Sequence, residues 1–403
     1  MKLGEMVSLV RGNTYKSSLL SETDGPVLLG LGSIERGGGF KRGSWKRYSG
    51  YTDIKILLHP GDIYVSLKDL TQSCDLLGAV SRVPANLPVG RLTQDTVKLE
   101  FSNNVSEQER LYVYWSLRTP QYRAYCKAHG TGTTNMSLSR ADFLAWELPP
   151  RSPVRDTLIA LFELIDEKIE LNNQLNGYLE ELLFAKYDEL FPAESEHDGT
   201  LSDIGTVVGG ATPSKKRAEY YCENGIGWIT PRDLSNSSDK FISQGAVDLT
   251  EEGYSSCSAK LLPAGSVLFS SRAPIGYVAI AAANVATNQG FKSIVPKEEF
   301  GTAFAYCFLV RHKKKIADMG AGTTFPEVSG SMMKSVPLSL PSEQLCSEFS
   351  AFAHPILEQQ KSLELENRNL CLLRAALLPK LMSGEVDVSK VDLTQLNSHL
   401  ADC

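Results

Sequence analysis

The 403-residue sequence has no apolar run approaching the roughly 18–20 residues needed to cross a bilayer, so a helical membrane protein is excluded. Its start, Met1-Lys2-Leu3-Gly4-Glu5, lacks the apolar core of a signal peptide, and a cytoplasmic chain without membrane contact is expected. The eight cysteines are scattered, with no C-x-x-C pair, and the six histidines are equally dispersed. That spacing offers neither a disulfide framework nor a metal site, so the thiols are expected to be reduced and mostly to pack. No Walker A loop, H-E-x-x-H motif, Ser/His/Asp set or paired carboxylates can be found. Gly30-x-Gly32 lacks the third glycine of a dinucleotide loop, and Gly37-Gly38-Gly39 follows where a helix would have to begin. Asp166-Glu167-Lys168 could mimic half a nuclease site, but it lies inside a helical pattern, where charges usually face solvent. With 42% hydrophobic and 22% charged residues, the chain is an ordinary globular protein of two to three domains. A non-catalytic binder is expected.

The net charge of −6 is unevenly spread. Residues 1–150 carry +4, residues 151–197 carry −7, residues 198–341 carry +1 and residues 342–403 carry −4. A polyanion could therefore be bound by the first and third blocks but not by the second and fourth. Three short echoes recur in the same order at offsets near 190–205. Leu58-His59-Pro60-Gly61-Asp62-Ile63-Tyr64-Val65-Ser66 is matched by Leu262-Pro263-Ala264-Gly265-Ser266-Val267-Leu268-Phe269-Ser270. Gly130-Thr131-Gly132-Thr133-Thr134 is matched by Gly320-Ala321-Gly322-Thr323-Thr324, and the Pro-bearing apolar segment Trp146-Glu147-Leu148-Pro149-Pro150 by Val336-Pro337-Leu338-Ser339-Leu340-Pro341. Three echoes in order mark a duplicated plan. In each copy, short apolar runs such as Val27–Leu29, Ile54–Leu58 and Tyr277–Ile280 read as strands, while 107–116 and 303–317 read as helices. Each copy is expected to be an α+β globule.

After each globule comes a long amphipathic pattern. Ser152-Pro153 reads as a cap followed by proline at the first helical position. Leu158, Phe162, Ile165, Ile169, Asn172, Asn176, Leu179 and Leu183 then alternate at spacings of four and three, a heptad seam ended at Phe191-Pro192. In the second pattern Phe349, Ile356, Leu363, Leu370 and Leu377 recur every seven residues, with Asn367 at a companion position and Pro355 expected to kink or delay the helix. The simplest burial of both stripes is a pairing of the two helices with each other. Asn172, Asn176 and Asn367 in the seam would fix its register, unless the seam opens to solvent at mid-length.

The positive residues cluster. Phe40-Lys41-Arg42-Gly43-Ser44-Trp45-Lys46-Arg47-Tyr48 packs four cations and three aromatics beside three glycines, as a DNA contact would need for phosphate attraction and base-edge reading. Lys41, Arg42, Trp45, Lys46 and Arg47 are the candidates there, and Lys215, Lys216 and Arg217 form a weaker cluster. The third, Arg311-His312-Lys313-Lys314-Lys315, reads better as a solvated helix end.

These residues, taken in order, resemble the specificity subunits of type I restriction-modification systems. The resemblance rests on Gly209-Gly210-Ala211-Thr212-Pro213-Ser214, Gly227-Trp228-Ile229-Thr230-Pro231-Arg232-Asp233-Leu234 and Ser271-Arg272-Ala273-Pro274-Ile275-Gly276. Thr287-Asn288-Gln289-Gly290-Phe291-Lys292 and Leu377-Leu378-Pro379-Lys380-Leu381-Met382-Ser383-Gly384-Glu385 complete it. The first half fits more loosely, through Tyr64-Val65-Ser66-Leu67-Lys68-Asp69 and Leu92-Thr93-Gln94. Arg232 and Arg272, the arginines within these motifs, join the candidate DNA contacts. The resemblance implies two target recognition domains, residues 1–150 and 198–341. It implies a central spacer helix over 151–191, a second over 342–385 that pairs with it as an antiparallel coiled coil, and a tail over 386–403. It implies no catalysis and no cofactor on this chain, with S-adenosylmethionine bound instead by two partner modification (methyltransferase) subunits docked on the helices. Double-stranded DNA would be the ligand, and motor-nuclease restriction subunits could join. The alternative is a helical scaffold or adaptor without DNA, whose two globules bind proteins.

Overall fold

Short strands build several small sheets in each globule of the computed structural model, which describes residues 1–41, 43, 45–133, 135–192, 198–237, 239–322 and 326–383. Arg42, Thr134, Thr323, Thr324 and the expected tail 386–403 lie outside the described residues. The chain divides into two compact units, residues 1–167 with 370–403, and residues 168–369. Each unit holds one globule together with a stretch of both long helices, and each is α+β.

In the first unit, β1 (Val7–Arg11), β2 (Ile63–Ser66), β3 (Val80–Arg82) and β4 (Thr96–Phe101) form an antiparallel sheet in the order β1-β4-β2-β3. A parallel pair, Val27–Leu29 with Gly90–Leu92, lies in a second sheet. Helix Glu107–Ser116 starts at a Ser106/Glu109 capping box, and helix Pro120–His129 at a Thr119 cap with proline in its first turn. The globule closes on its own start: the Leu3 N–H donates to Trp146 O at 2.9 Å and the Leu148 N–H to Met1 O at 3.0 Å.

The second unit repeats this plan. β5 (Gly205–Gly209), β6 (Val267–Ser271), β7 (Ile275–Ala281) and β8 (Lys292–Pro296) run in the order β5-β8-β6-β7, with Phe241–Ile242 added beyond β7. Gly227–Ile229 pairs in parallel with Val285–Thr287. Gly199–Thr200 pairs with Pro337–Leu338, so this globule also ends where it began. Gly130–Gly132 and Gly320–Gly322, which open the G-x-G-T-T echoes, carry matching bridges between Thr131 and Ser137 and between Ala321 and Glu327. Gly12 and Gly210 are equivalent as well. A side chain on either would meet a backbone carbonyl, of Thr93 or Thr287, closer than atoms can approach.

Two local expectations are corrected. Ile54–Leu58 is not one strand: Asp53 accepts from the Lys55 N–H, turning Ile54–Ile56 into a 3-10 helix and leaving only Leu57–Leu58 extended. Pro355 does not delay its helix, which begins at Glu343 and continues through it to Ser383. Pro355 offers no amide to the Ala351 carbonyl, and both residues are exposed.

The central helix runs Pro153–Leu190, and Ser152 Oγ accepts from the Arg155 N–H at 3.3 Å, as the cap reading requires. In the first unit Leu158 and Phe162 are fully buried, Ile165 is buried, and half-buried Leu377 packs on the same core; Leu370 is half-buried. In the second unit Leu183, Phe349, Ile356 and Leu363 are buried, while Ile169 and Leu179 are half-buried. There the helices run antiparallel, since Lys168 meets Glu366, Asn176 meets Gln360 and Lys186 meets Glu348. Asn172, 3% exposed, donates to Glu366 Oε2 at 2.8 Å and to Asn367 Oδ1 at 2.9 Å, and Asn367 Nδ2 donates to Asn173 at 3.1 Å. An unpaired buried amide costs about 1–3 kcal/mol, so a slip of this seam is penalised. Asn367 and Asn176 are half-buried, and the seam is closed at Asn172.

Candidate nucleic-acid interface

The cationic loop of the first globule is built on a tight turn. Gly37, Gly38 and Gly39 have φ of 83°, 101° and 112°, a region that suits glycine. A side chain on Gly38 would also press on Arg118 Cγ and Val80 O, each at 3.1 Å. The glycines thus have a reason inside the protein: they turn the chain and admit Arg118. Beyond the turn, Phe40 and half-buried Trp45 meet edge to face with centroids 6.2 Å apart, bracing the loop. Lys41 and Lys46 are exposed, and neither forms an ion pair among the described residues. Arg42 lies outside them. Arg47 is half-buried and its Nη1 donates to Gly25 O at 2.9 Å, so part of its donor fork already serves the fold. Lys41 and Lys46 are the freer phosphate candidates.

In the second unit Lys215, Lys216 and Arg217 are exposed; Arg217 sits over the Tyr220 ring at 5.5 Å and pairs with Glu219 at 3.6 Å. Arg232 is exposed on the short helix Pro231–Asn236. Arg272 is half-buried and shares Glu327 with Lys292, at 3.3 and 3.4 Å, which leaves the trio with one net positive charge. Arg311 of the third cluster pairs with Asp188 of the central helix and stacks over Phe184 at 4.4 Å, a structural role. The described residues contain no group of three or more His, Cys, Asp or Glu able to hold a metal, and no helix long and apolar enough to cross a membrane. Burial pushes the Cys126 and Cys346 thiols up to about 11, so both are protonated packing groups.

Two features escaped the sequence reading. Leu171, Leu175, Tyr178 and Leu182, exposed at 49%, 42%, 68% and 49%, form a second stripe on the central helix, away from the paired seam. Its four-three-four spacing was there to be read. The other feature is a set of buried charges beneath the loops. In the second unit the backbone N–H groups of Lys240 and Phe241 donate to the two oxygens of Glu364, at 2.8 and 3.0 Å, while Lys240 Nζ bonds Glu180 and Gln360.

Burial pushes the Glu364 carboxyl up to about 7, with Asp239 adding to the rise, against the two N–H bonds and Lys240 that favour its charge. A carboxyl raised above its ordinary 4.5 binds its proton more tightly in the fold. Its stabilisation is therefore complete below about 4.5 and declines as the pH rises through about 7. Glu364→Gln cannot titrate, so the melting temperature of the variant is expected to fall less steeply with pH over this interval than that of the parent. Equal slopes would contradict this.

Residues 194–367 match the family model described as the type I restriction modification DNA specificity domain. The chain is 40% identical over 167 residues to the type I restriction enzyme MjaIX specificity subunit of Methanocaldococcus jannaschii, covering 40% of this chain and 38% of that protein. It is 27% identical over 314 residues to the type I restriction enzyme HindI specificity subunit of Haemophilus influenzae, covering 72% of this chain and 64% of that protein. The match thus spans less than two thirds of either relative. The fold is that of the type I restriction-modification S subunit from M. genitalium, with a TM-score of 0.53 at 15% identity over 94% of this chain and 95% of that one. Residues 194–367 thus match the specificity domain of type I restriction-modification systems, and the relatives to which the chain is similar are specificity subunits of such systems.

Proposed function

We propose that this chain gives a type I restriction-modification complex its DNA sequence specificity. Each globule contacts one half of a bipartite site in double-stranded DNA, and the long helices set the gap between the halves. The observation that carries the reading is the doubled sheet order, each copy closing on its own start, because two equivalent binders suit a two-part target. In this reading the chain supplies recognition and its partners supply the catalysis. Two modification subunits, which carry S-adenosylmethionine, dock on the helices and methylate the site, with restriction subunits bearing a motor and nuclease as optional partners. The exposed stripe Leu171, Leu175, Tyr178 and Leu182, on a helix whose net charge is negative, supports protein docking there over contact with phosphate. The work is done in the cytoplasm, where the DNA is.

Salt dependence tests the reading. Neutralising a phosphate contact weakens every sequence and lowers the slope of log K against log salt by about 0.9 per contact on B-form DNA. The assembled complex with Lys41→Ala and Lys46→Ala is therefore expected to bind duplex DNA with a slope about 2 smaller and an unchanged methylated motif. An unchanged slope would reduce these lysines to a solvated loop. A parent complex with no salt-dependent, sequence-selective binding would favour a protein-binding adaptor instead.

A further inference from the structure

The same segment of each globule is fastened to the long helices by buried charged side chains, though the two copies use different residues. In the first unit Arg118, 6% exposed, donates through Nη2 to Gly38 O and through Nη1 to Asp166 Oδ2, both at 3.3 Å. Its guanidinium lies 4.4 Å from the Trp115 ring. Asp166, on the central helix, also accepts from Arg374 of the second long helix. One carboxylate therefore ties together both helices and the turn that leads into Phe40–Tyr48. Beside it Glu163 accepts from Arg82 at 2.8 Å and from the Trp115 indole at 2.6 Å.

In the second unit the equivalent segment is Asp239–Phe241. It follows the Gly227–Ile229 strand and the helix bearing Arg232, as Gly38–Phe40 follows Val27–Leu29. Each segment also bonds the edge of its own sheet: the Gly39 N–H donates to Val80 O at 2.8 Å, and Lys240 O accepts from the Ile280 N–H at 2.8 Å. Here Lys240 Nζ reaches Glu180 of the central helix and Gln360 of the second, and Tyr306 donates to Glu180 at 2.9 Å. Glu364 takes the two backbone N–H groups, while Arg368 donates to Asp239 at 2.9 Å and to Phe241 O at 2.7 Å.

Buried ion pairs are a poor means of gaining stability, because apolar residues of similar volume often hold an interface as well or better. What they add is direction: an apolar contact can slide, whereas a fork bonded to two acceptors fixes an angle. From its use at one place in both copies we infer that Arg118 and Lys240 are positioning residues, which hold each globule at a set orientation on the long helices and thereby fix the spacing the complex accepts. The inference rests on the DNA-reading function proposed above.

The test uses the full chain assembled with its modification subunits, carrying Arg118→Met or Lys240→Met, and reads methylation on duplexes whose spacer is correct or one base pair shorter or longer. Each variant is expected to keep both half-site sequences while its preference for the correct spacer falls about tenfold. Arg118→Lys keeps the charge but cannot span Gly38 and Asp166 together; it must lose the preference too, and it serves if the methionine variant does not assemble. Overall methylation that falls with thermal stability at unchanged spacer preference would overturn the inference and leave the junctions merely structural. A parent complex with no bipartite motif would instead overturn the proposed function.

Discussion

Replacing Trp115 by alanine is expected to cost the first unit about 3–5 kcal/mol, the range for truncating a large buried aromatic. Trp115 is fully buried, its ring lies 4.9 Å from that of Phe162 on the central helix, and Arg118 covers it. Its indole N–H also supplies one of the donors to Glu163, so truncation opens a cavity and strips a half-buried carboxylate of a partner. Because the chain has two compact units with separate cores, unfolding is expected in two steps, and Trp115→Ala should move only one. Phe349, equally buried among Tyr187 and Phe191, is its counterpart, and Phe349→Ala should move the other step. Calorimetry of the two variants reads this directly. If either variant shifted both steps together, the units would not be separate cores. In the assembled complex, Trp115→Ala is expected to lose the first half-site before the second.

Lengthening both helices by four residues should lengthen the spacer without changing either half-site. One insertion follows Asn173 in the central helix and the other follows Leu365 in the second. Both points lie between the register contact of Asn172 with Asn367 and the Lys240 junction with Glu180, Gln360 and Glu364. Four residues add about 6 Å of helix, against about 3.4 Å per DNA base pair, which corresponds to one or two base pairs. They also leave a rotation of about 40° beyond a full turn, and a heptad seam absorbs such a stutter by local unwinding. The methylated motif of the variant is the readout. An unchanged spacer in an assembled complex would mean that partner subunits fix the gap.

Much of this was legible in the sequence, and what was not has physical causes. The helix limits could be read because capping chemistry is local: Ser152-Pro153 starts the central helix, and Phe191-Pro192 follows its last residue, Leu190. The duplication could be read because turns and close approaches demand particular residues, and the G-x-G turns recur with the bridges they serve. Strand order could not, since it is set by pairings such as Val7 with Phe101, far apart in the chain. The Ile54–Leu58 run misled because a single capping carboxylate, Asp53, outweighed a weak strand preference. Within the basic loop, composition marked Lys41, Lys46 and Arg47 alike, yet only the fold separates the exposed lysines from an arginine held by Gly25. The junctions were invisible for the same reason as the strand order. Arg118 meets Gly38 and Asp166 across 80 and 48 residues of sequence, and an isolated arginine carries no pattern.

The central claim, that each globule reads its own half-site, is tested most directly by exchange. Residues 198–341 begin and end beside the paired strands Gly199–Thr200 and Pro337–Leu338, so a relative's globule can replace them at adjacent cut points. The measurement is the methylated motif of a host carrying the modification subunits with the parent chain or the chimera. The expected result is one half-site retained, one replaced and the spacer unchanged. An assembled chimera that changed or lost both half-sites together would contradict the account.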